Sequence, residues 1–300
     1  MTDSSNEEST PWTIARLLAW ATDDLRKRGL ESPRLEAELL LTSVLQVDRM
    51  RLIMDAQRPL GERELGAYRA LFQRRRKGEP ISYILGTREF YGHAFMVTPS
   101  VLIPRPDTET LVEVALQRTA HRNLSGRALD LCTGSGCVAI SYALERPTWK
   151  VTGTDLSEKA LAVARKNALH LGALWGVRFA SGNLFGAVSK EEKFELITCN
   201  PPYIASQEVL TLEANVKDFE PHEALDGGET GLDFYPLVAQ GASKHLVPGG
   251  ILALELGAGQ ASDVEKILAD HGFTDLERKR DFGGHERVVS GKAPRGSIPQ

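Results

Sequence analysis

"RALDLCTGSGCVAI", residues 127–140, decides the architecture of this chain. Arg127 to Cys132 is an apolar run of strand length that breaks into a glycine-rich turn. Gly134 and Gly136 let the backbone turn sharply and approach a ligand closely. A helix then starts at Val138, and its first N–H groups face the crevice left by the turn. Nineteen residues beyond Gly136, Asp155 ends a second strand within "VTGTDLS" (151–157). A carboxylate placed there can accept hydrogen bonds from both ribose hydroxyls of a nucleoside. Strand, glycine turn, helix and acid at the next strand end together announce an α/β fold with a nucleoside-binding crevice.

The alternation continues downstream. The patterns predict strands over 127–132, 150–155, 177–182, 194–199, 250–256, 273–281 and 286–291, with helices over 137–146, 157–171, 233–246 and 259–271. Such alternation means a mostly parallel sheet with helices on both faces. No internal repeat is present.

Upstream the pattern changes. From Trp12 to Lys77 the chain reads as helices: "TIARLLAWATDDLRKRG" stops at Gly29, "SPRLEAELLLTSVL" starts with Ser32 as N-cap and Pro33 at the first helical position, and "GERELGAYRALFQRRRKG" stops at Gly78. Short connections make this a small helical bundle, residues 1–80. Ile81 to Thr98 shifts to short β-like segments broken by Gly86 and Gly92, a hairpin linker over 81–105. A helix opens near Pro106–Asp107, and the sheet domain runs over 106–292. Residues 1–10 and the tail 293–300 read as disordered. The "RRRK" run at 74–77 reads as cations that complement a helix dipole and stay solvated, in preference to a nucleic-acid contact.

Composition narrows the function. Forty-two percent apolar and 25% charged residues are those of a soluble globular chain with room for a sizeable core. The net charge of −4 argues against a protein that tracks a phosphate backbone. Residues 1–80 hold 14 Lys/Arg against 13 Asp/Glu, so neither part is strongly basic. No signal peptide and no membrane-length apolar run is visible, which predicts a cytoplasmic protein. Cys132, Cys137 and Cys199 fit a reducing compartment, and their spacing matches no zinc pattern, so no metal is expected.

The chemistry is carried by "ELITCNPPYIAS" (195–206). Asn200 stands at the end of an apolar strand, where open α/β sheets place ligands. The prolines that follow hold the backbone extended and carry no N–H. The Asn200 side-chain oxygen and the Pro201 carbonyl are then two acceptors on a stiff support, suited to a planar –NH2. A dinucleotide reading survives the glycine pattern, because Ala139 is an allowed variant of a third glycine. Hydride transfer, however, has no use for paired acceptors aimed at an amino group, and methyl transfer to nitrogen does.

"DLCTGSG", "GTDLS" and "NPPY" resemble S-adenosylmethionine-dependent class I methyltransferases acting on amino nitrogens, a set shared with adenine-N6 DNA methyltransferases. "ISYILGTREFYG", "LIPRPDTE", "FEPHEAL" with "GGETGLDFY", and "DFGGHERVV" narrow the likeness to the release-factor glutamine N5-methyltransferases of the PrmC/HemK type. It covers the chain from about Thr13 to Ser290. The resemblance implies a Rossmann-like class I methyltransferase sheet of seven strands, the last antiparallel, and a small N-terminal helical bundle domain joined by a β-hairpin. It implies S-adenosyl-L-methionine as cofactor, with Cys132, Thr133, Gly134, Ser135 and Gly136 along its methionine part, Asp155 at the ribose, and Asn183 and Leu184 near the adenine. Asn200, Pro201, Pro202 and Tyr203 would hold the substrate, with Asn200 also near the cofactor. Many such enzymes have glycine at the position of Cys132 and an acid at that of Asn183.

The implied substrate is the glutamine of the Gly-Gly-Gln loop in class 1 peptide release factors, docked on the bundle of a monomeric enzyme with no stable nucleic-acid or membrane contact. In this scheme Asn200 and Pro201 accept the two amide hydrogens, Tyr203 packs its ring on the flat amide, and no side chain acts as base. A ribosomal-protein glutamine, a nucleic-acid amino group, and cofactor binding without catalysis remain as alternatives.

Overall fold

A computed structural model describes residues 11–121 and 124–294. Of the segments expected to be disordered, 1–10 and the 295–300 part of the 293–300 tail lie outside the described residues. The chain divides between Leu85 and Gly86 into two compact units.

The first unit is helical: α1 (Ile14–Lys27), α2 (Pro33–Leu45), α3 (Arg49–Met54), α4 (Glu62–Arg76) and α5 (Ile81–Leu85). Local chemistry sets the starts. Thr13 Oγ1 accepts from the Arg16 N–H, Asp48 Oδ1 from the Arg51 N–H, and Glu64 reaches back to the Gly61 N–H. Ser32 occupies the N-cap of α2 without making a side-chain cap bond, and Pro33 alone supplies the start signal. Leu17, Leu18, Ala21 and Leu25 of α1 meet Leu40 and Leu41 of α2 and Tyr68 and Phe72 of α4 in one core. Residues 81–85 form a helical turn and not the expected strand, so the hairpin begins only at Thr87. The cations of α4 are also less solvated than expected: Arg74 pairs with Glu79, Arg76 with Asp24, and the buried Arg75 with Glu36. A buried guanidinium requires such a partner.

The second unit opens with the hairpin β1 (Thr87–Phe90) and β2 (His93–Met96), followed by α6 (Glu109–Arg118) after a 3₁₀ turn at Pro106–Thr108. Then come β3 (Arg127–Leu131), α7 (Cys137–Glu145), β4 (Lys150–Asp155), α8 (Glu158–His170), β5 (Val177–Ser181), β6 (Phe194–Cys199) and the one-turn helices α9 (Ser206–Val209) and α10 (Ala214–Lys217). The unit closes with α11 (Phe234–His245), β7 (Leu246–Glu255), α12 (Ala261–Asp270), β8 (Thr274–Arg280) and β9 (Glu286–Lys292). The seven-stranded sheet has the order β5-β4-β3-β6-β7-β9-β8. Strands β3 to β7 pair in parallel, and β9 runs antiparallel to both β7 and β8. Lys292 lies in β9 and Ala293 is buried and paired to Gly250, so the ordered chain runs past the expected start of the tail.

The central strands are apolar on both faces because both are covered. Ala128, Val151, Leu196 and Ile251 face a core built with Leu111, Val112, Ile140 and Tyr142. Their sequence neighbours Leu129, Ile197 and Leu252 face the opposite core with Tyr235, Val238, Val264 and Leu268. After β3 the chain builds β4 and β5 to one side, then returns to build β6 and β7 on the other. The crevice opens between the carboxyl ends of β3 and β6, where the strand order reverses.

Candidate functional site

That reversal brings together two segments 68 residues apart. Leu131 pairs with Cys199 at the end of the register, so Cys132 and Asn200 leave the sheet side by side. A cavity at this end is lined by Cys132, Thr133, Gly134, Ser135, Asp155, Asn183, Leu184, Asn200 and Pro202 among the expected residues. Three other expected residues do not line it. Gly136 caps α7 with φ 80°, and a Cβ there would lie 2.9 Å from the Ile140 side chain. Pro201 is buried and is not among the lining residues. The sequence reading sets the Tyr203 ring against a flat amide; in the structure it packs on the second core, and its hydroxyl donates to Glu255 Oε1 at 3.4 Å. Gln260 holds the Tyr203 carbonyl at 2.9 Å, anchoring the end of the Asn-Pro-Pro turn.

The turn at 132–136 is bent by need. Cys132 takes φ 55° and Gly134 also φ 55°, the left-handed region that glycine enters at little cost. Leu184, on the opposite wall, takes φ 48°. Two non-glycine residues held there around one cavity mark a backbone shaped by its site. The loop is tied down by Asp155, whose Oδ2 accepts from the Gly134 N–H at 2.8 Å and whose Oδ1 accepts from the Ser157 N–H at 2.9 Å. Burial raises the Asp155 pKa, and these backbone donors work against that rise. Each carboxylate oxygen keeps a lone pair for a ligand hydroxyl.

Asn200 carries the substrate-side geometry. Its Nδ2 donates to Thr108 Oγ1 at 3.4 Å, while its Oδ1 is buried and meets no donor among the described residues. A buried acceptor without a donor costs free energy unless a ligand satisfies it.

The charge of the lining discriminates between nucleoside cofactors. Asp130, Asp155 and Glu223 line the cavity, against one cation, Arg105. Arg105 is already spent on the nearly fully buried Glu220, 2.6 Å away. No lysine is among the lining residues. A pyrophosphate would meet carboxylates there; a sulfonium with an α-ammonium would meet opposite charge. The residues present therefore fit S-adenosylmethionine and not a dinucleotide.

Several supports escaped sequence reasoning. Asp130, pushed up to about 6 by burial, accepts from Thr133 Oγ1 at 2.6 Å and from Thr198 Oγ1 at 2.7 Å, joining the first turn to β6. Asn167, fully buried in α8, donates to the carbonyls of Ser135 and Met96 and accepts from the Met96 N–H at 2.7 Å. It clips the hairpin to the glycine turn. A polar residue inside the apolar stripe of a helix was the one signal for it. Glu220 likewise accepts from the Ile103 N–H at 3.2 Å and holds "FEPHEAL" against "LIPRPDTE".

A doubly wound sheet with a glycine turn, a strand-end acid and an orphaned amide oxygen defines a methyltransferase of the Rossmann-like class. Residues 107–217 match the methyltransferase small domain and residues 16–86 the PrmC N-terminal domain. The chain is 44% identical to a release factor glutamine methyltransferase of Geobacter sulfurreducens over 95% of this chain and 99% of that one. It is 41% identical to that of Vibrio cholerae over 93% and 96%. The fold is similar to a methyltransferase of Pyrococcus furiosus, with TM-score 0.52 and 20% identity over 68% of this chain and 91% of that one. This chain belongs to the release factor glutamine methyltransferase family. Among the described residues no helix is long and apolar enough to cross a membrane.

Proposed function

We propose that the protein transfers a methyl group from S-adenosylmethionine to the side-chain amide nitrogen of the glutamine in the Gly-Gly-Gln loop of class 1 peptide release factors, as a monomer in the cytoplasm. The reading is carried by Asn200, which lines the same cavity as the glycine turn and Asp155 and whose Oδ1 is buried without a donor among the described residues.

When bound, the cofactor supplies a methyl group that is already a strong electrophile. A carboxamide nitrogen is a weak nucleophile because its lone pair is delocalised into the carbonyl. Asn200 Oδ1 accepts one amide hydrogen, which localises electron density on nitrogen as it turns pyramidal. That interaction strengthens toward the transition state. The two prolines that follow stiffen the backbone that carries Asn200, so part of the alignment is set before the substrate arrives. The N-protonated product is acidic and loses its proton without a dedicated base. Gly134 and Cys132 shape the methionine end of the site, Asp155 holds the ribose, and Asn183 and Leu184 border the adenine.

The test is incubation of the purified protein with radiolabelled S-adenosylmethionine and, separately, a class 1 release factor, a ribosomal protein and duplex DNA. Label confined to the release factor, mapped by mass spectrometry to the Gly-Gly-Gln glutamine, is the expected result. Label on the ribosomal protein or DNA alone would overturn it.

A further inference from the structure

Asn200 is placed by the backbone that carries it, and that backbone is held on both sides. Upstream, Cys199 pairs with Leu131 of β3 and Leu254 of β7. Downstream, the Tyr203 carbonyl accepts from Gln260 Nε2 at 2.9 Å. Between these points Pro201 and Pro202 have fixed φ, so few torsions remain through which Asn200 can move.

Gln260, the residue before α12, makes this bond with an amide whose direction is set. Its Oε1 accepts from the Gly257 N–H at 2.9 Å. The Tyr235 hydroxyl reaches the same oxygen at 3.3 Å and the Glu255 carbonyl at 3.2 Å. Its Nε2 points the other way, toward the carbonyls of Tyr203 at 2.9 Å and Gly231 at 3.4 Å. Reversing the amide would set its NH2 against the Gly257 N–H and its oxygen against two carbonyls.

The "GGETGLDFY" segment, residues 227–235, finds its place in the same knot. It supplies Gly231 and Tyr235 to Gln260, and its Gly227 N–H donates to the Ile204 carbonyl at 2.8 Å. The Ile204 N–H in turn donates to the Leu225 carbonyl at 3.1 Å. The approach is close: a Cβ on Gly231 would lie 2.4 Å from the Tyr203 carbonyl oxygen, and one on Gly227 2.7 Å from that of Pro202. Gln260 is not among the residues that line the cavity, so it reaches Asn200 only through the Tyr203 carbonyl.

We propose that Gln260 is a positioning residue for methyl transfer, its amide fixing the backbone beyond the two prolines and with it the placement of Asn200 at the cavity. The inference rests on the acceptor role of Asn200 proposed above.

The experiment compares wild type with Gln260→Met, which keeps the length and removes both ends of the amide, and Gln260→Glu, which keeps an oxygen for the Gly257 N–H and loses the donor to Tyr203. At about pH 8 that carboxylate is ionised. Single-turnover rate at saturating release factor and cofactor, cofactor Kd by calorimetry and thermal midpoint are measured, each at a temperature where the protein is folded. Both variants are expected to lose roughly 10- to 100-fold in rate, the cost of a misplaced reacting geometry, with cofactor Kd within about twofold of wild type. A lowered midpoint with an unchanged rate of the folded enzyme would overturn the proposal, because Gln260 would then serve stability alone. So would a Gln260→Glu enzyme as fast as wild type, because the donor to Tyr203 would not be the determinant. Equal losses in rate and cofactor affinity would overturn it as well, by moving the effect to the cofactor. If Gln260→Met does not fold, Gln260→Glu decides alone. Wild-type protein inert on the release factor would sink the glutamine-methylation reading and this proposal with it, an outcome visible before any substitution is made.

Discussion

The N–H of Gly134 and the carboxylate of Asp155 are 2.8 Å apart, so the residue expected to hold the ribose also fastens the turn beneath it. Asp155→Asn keeps the shape and removes the charge. Hydrogen bonds to charged groups contribute roughly 1.5–3 kcal/mol, so cofactor affinity should fall about 10- to 100-fold. Calorimetric titration with S-adenosylmethionine measures this; an unchanged Kd would remove Asp155 from the ribose.

Asn200→Ala removes the orphaned acceptor while leaving the strand end intact. The loss of one preorganised group that acts mainly in the transition state is expected to lower kcat by roughly 10²- to 10³-fold. Cofactor affinity should change far less. Single-turnover rates beside calorimetry separate the two; equal losses in both would mean that Asn200 serves binding alone.

Asn167 makes three hydrogen bonds from a fully buried position. Asn167→Leu strands the carbonyls of Ser135 and Met96 and should destabilise the protein by about 2–4 kcal/mol. Chemical denaturation reads the change. A variant as stable as wild type would mean that these groups find other partners.

Glu255 gives a pH signature. Burial pushes its pKa up to about 7 from an ordinary 4.5, against the help of Thr108, Arg287 and Tyr203, while Asp107 adds to the rise. The folded protein then holds this proton more tightly than the unfolded chain. Its contribution to stability is full below about pH 4.5 and is lost as pH rises through about 7. Glu255→Gln, which stays neutral, should flatten this part of the stability–pH curve and leave the variant relatively more stable at pH 8. Denaturation midpoints between pH 5 and 8 test it, and parallel curves for the two proteins would count against a buried ionising Glu255.

The two glycines of the turn separate shape from space. A Cβ on Gly136, at φ 80°, meets Ile140 at 2.9 Å and Ala164 at 3.2 Å, whereas one on Gly134, at φ 55°, meets nothing. Gly136→Ala should therefore cost more than the roughly 1–2 kcal/mol of a left-handed alanine, and Gly134→Ala about that amount. Paired unfolding curves decide the order.

The crevice was legible in the sequence because strand ends, glycine turns and imino acids leave marks within a few residues. "DLCTGSG", Asp155 and "NPPY" each sit where a local pattern places them, and the sheet order brings them together. What stayed hidden was what depends on distant pairing. Thr108, Asn167 and Glu255 look like ordinary helix or strand residues until the fold puts Thr108 beside Asn200 and Asn167 beside Ser135. The reading of 81–85 as strand failed for a related reason: five residues carry too little periodicity to separate a helical turn from an extended run. Tyr203 was legible as part of the motif, but not the partner of its hydroxyl, Glu255 at the end of β7.

Strand β8 closes one side of the sheet with a charged, largely solvent-facing row that includes Asp275, Glu277, Arg278, Lys279 and Arg280. An unpaired margin of that kind is an invitation to polymerise, and its dense charge withdraws it by making any added strand bury ions. The molecule can thus present a long open sheet at high concentration in a crowded solution without seeding fibres from that border.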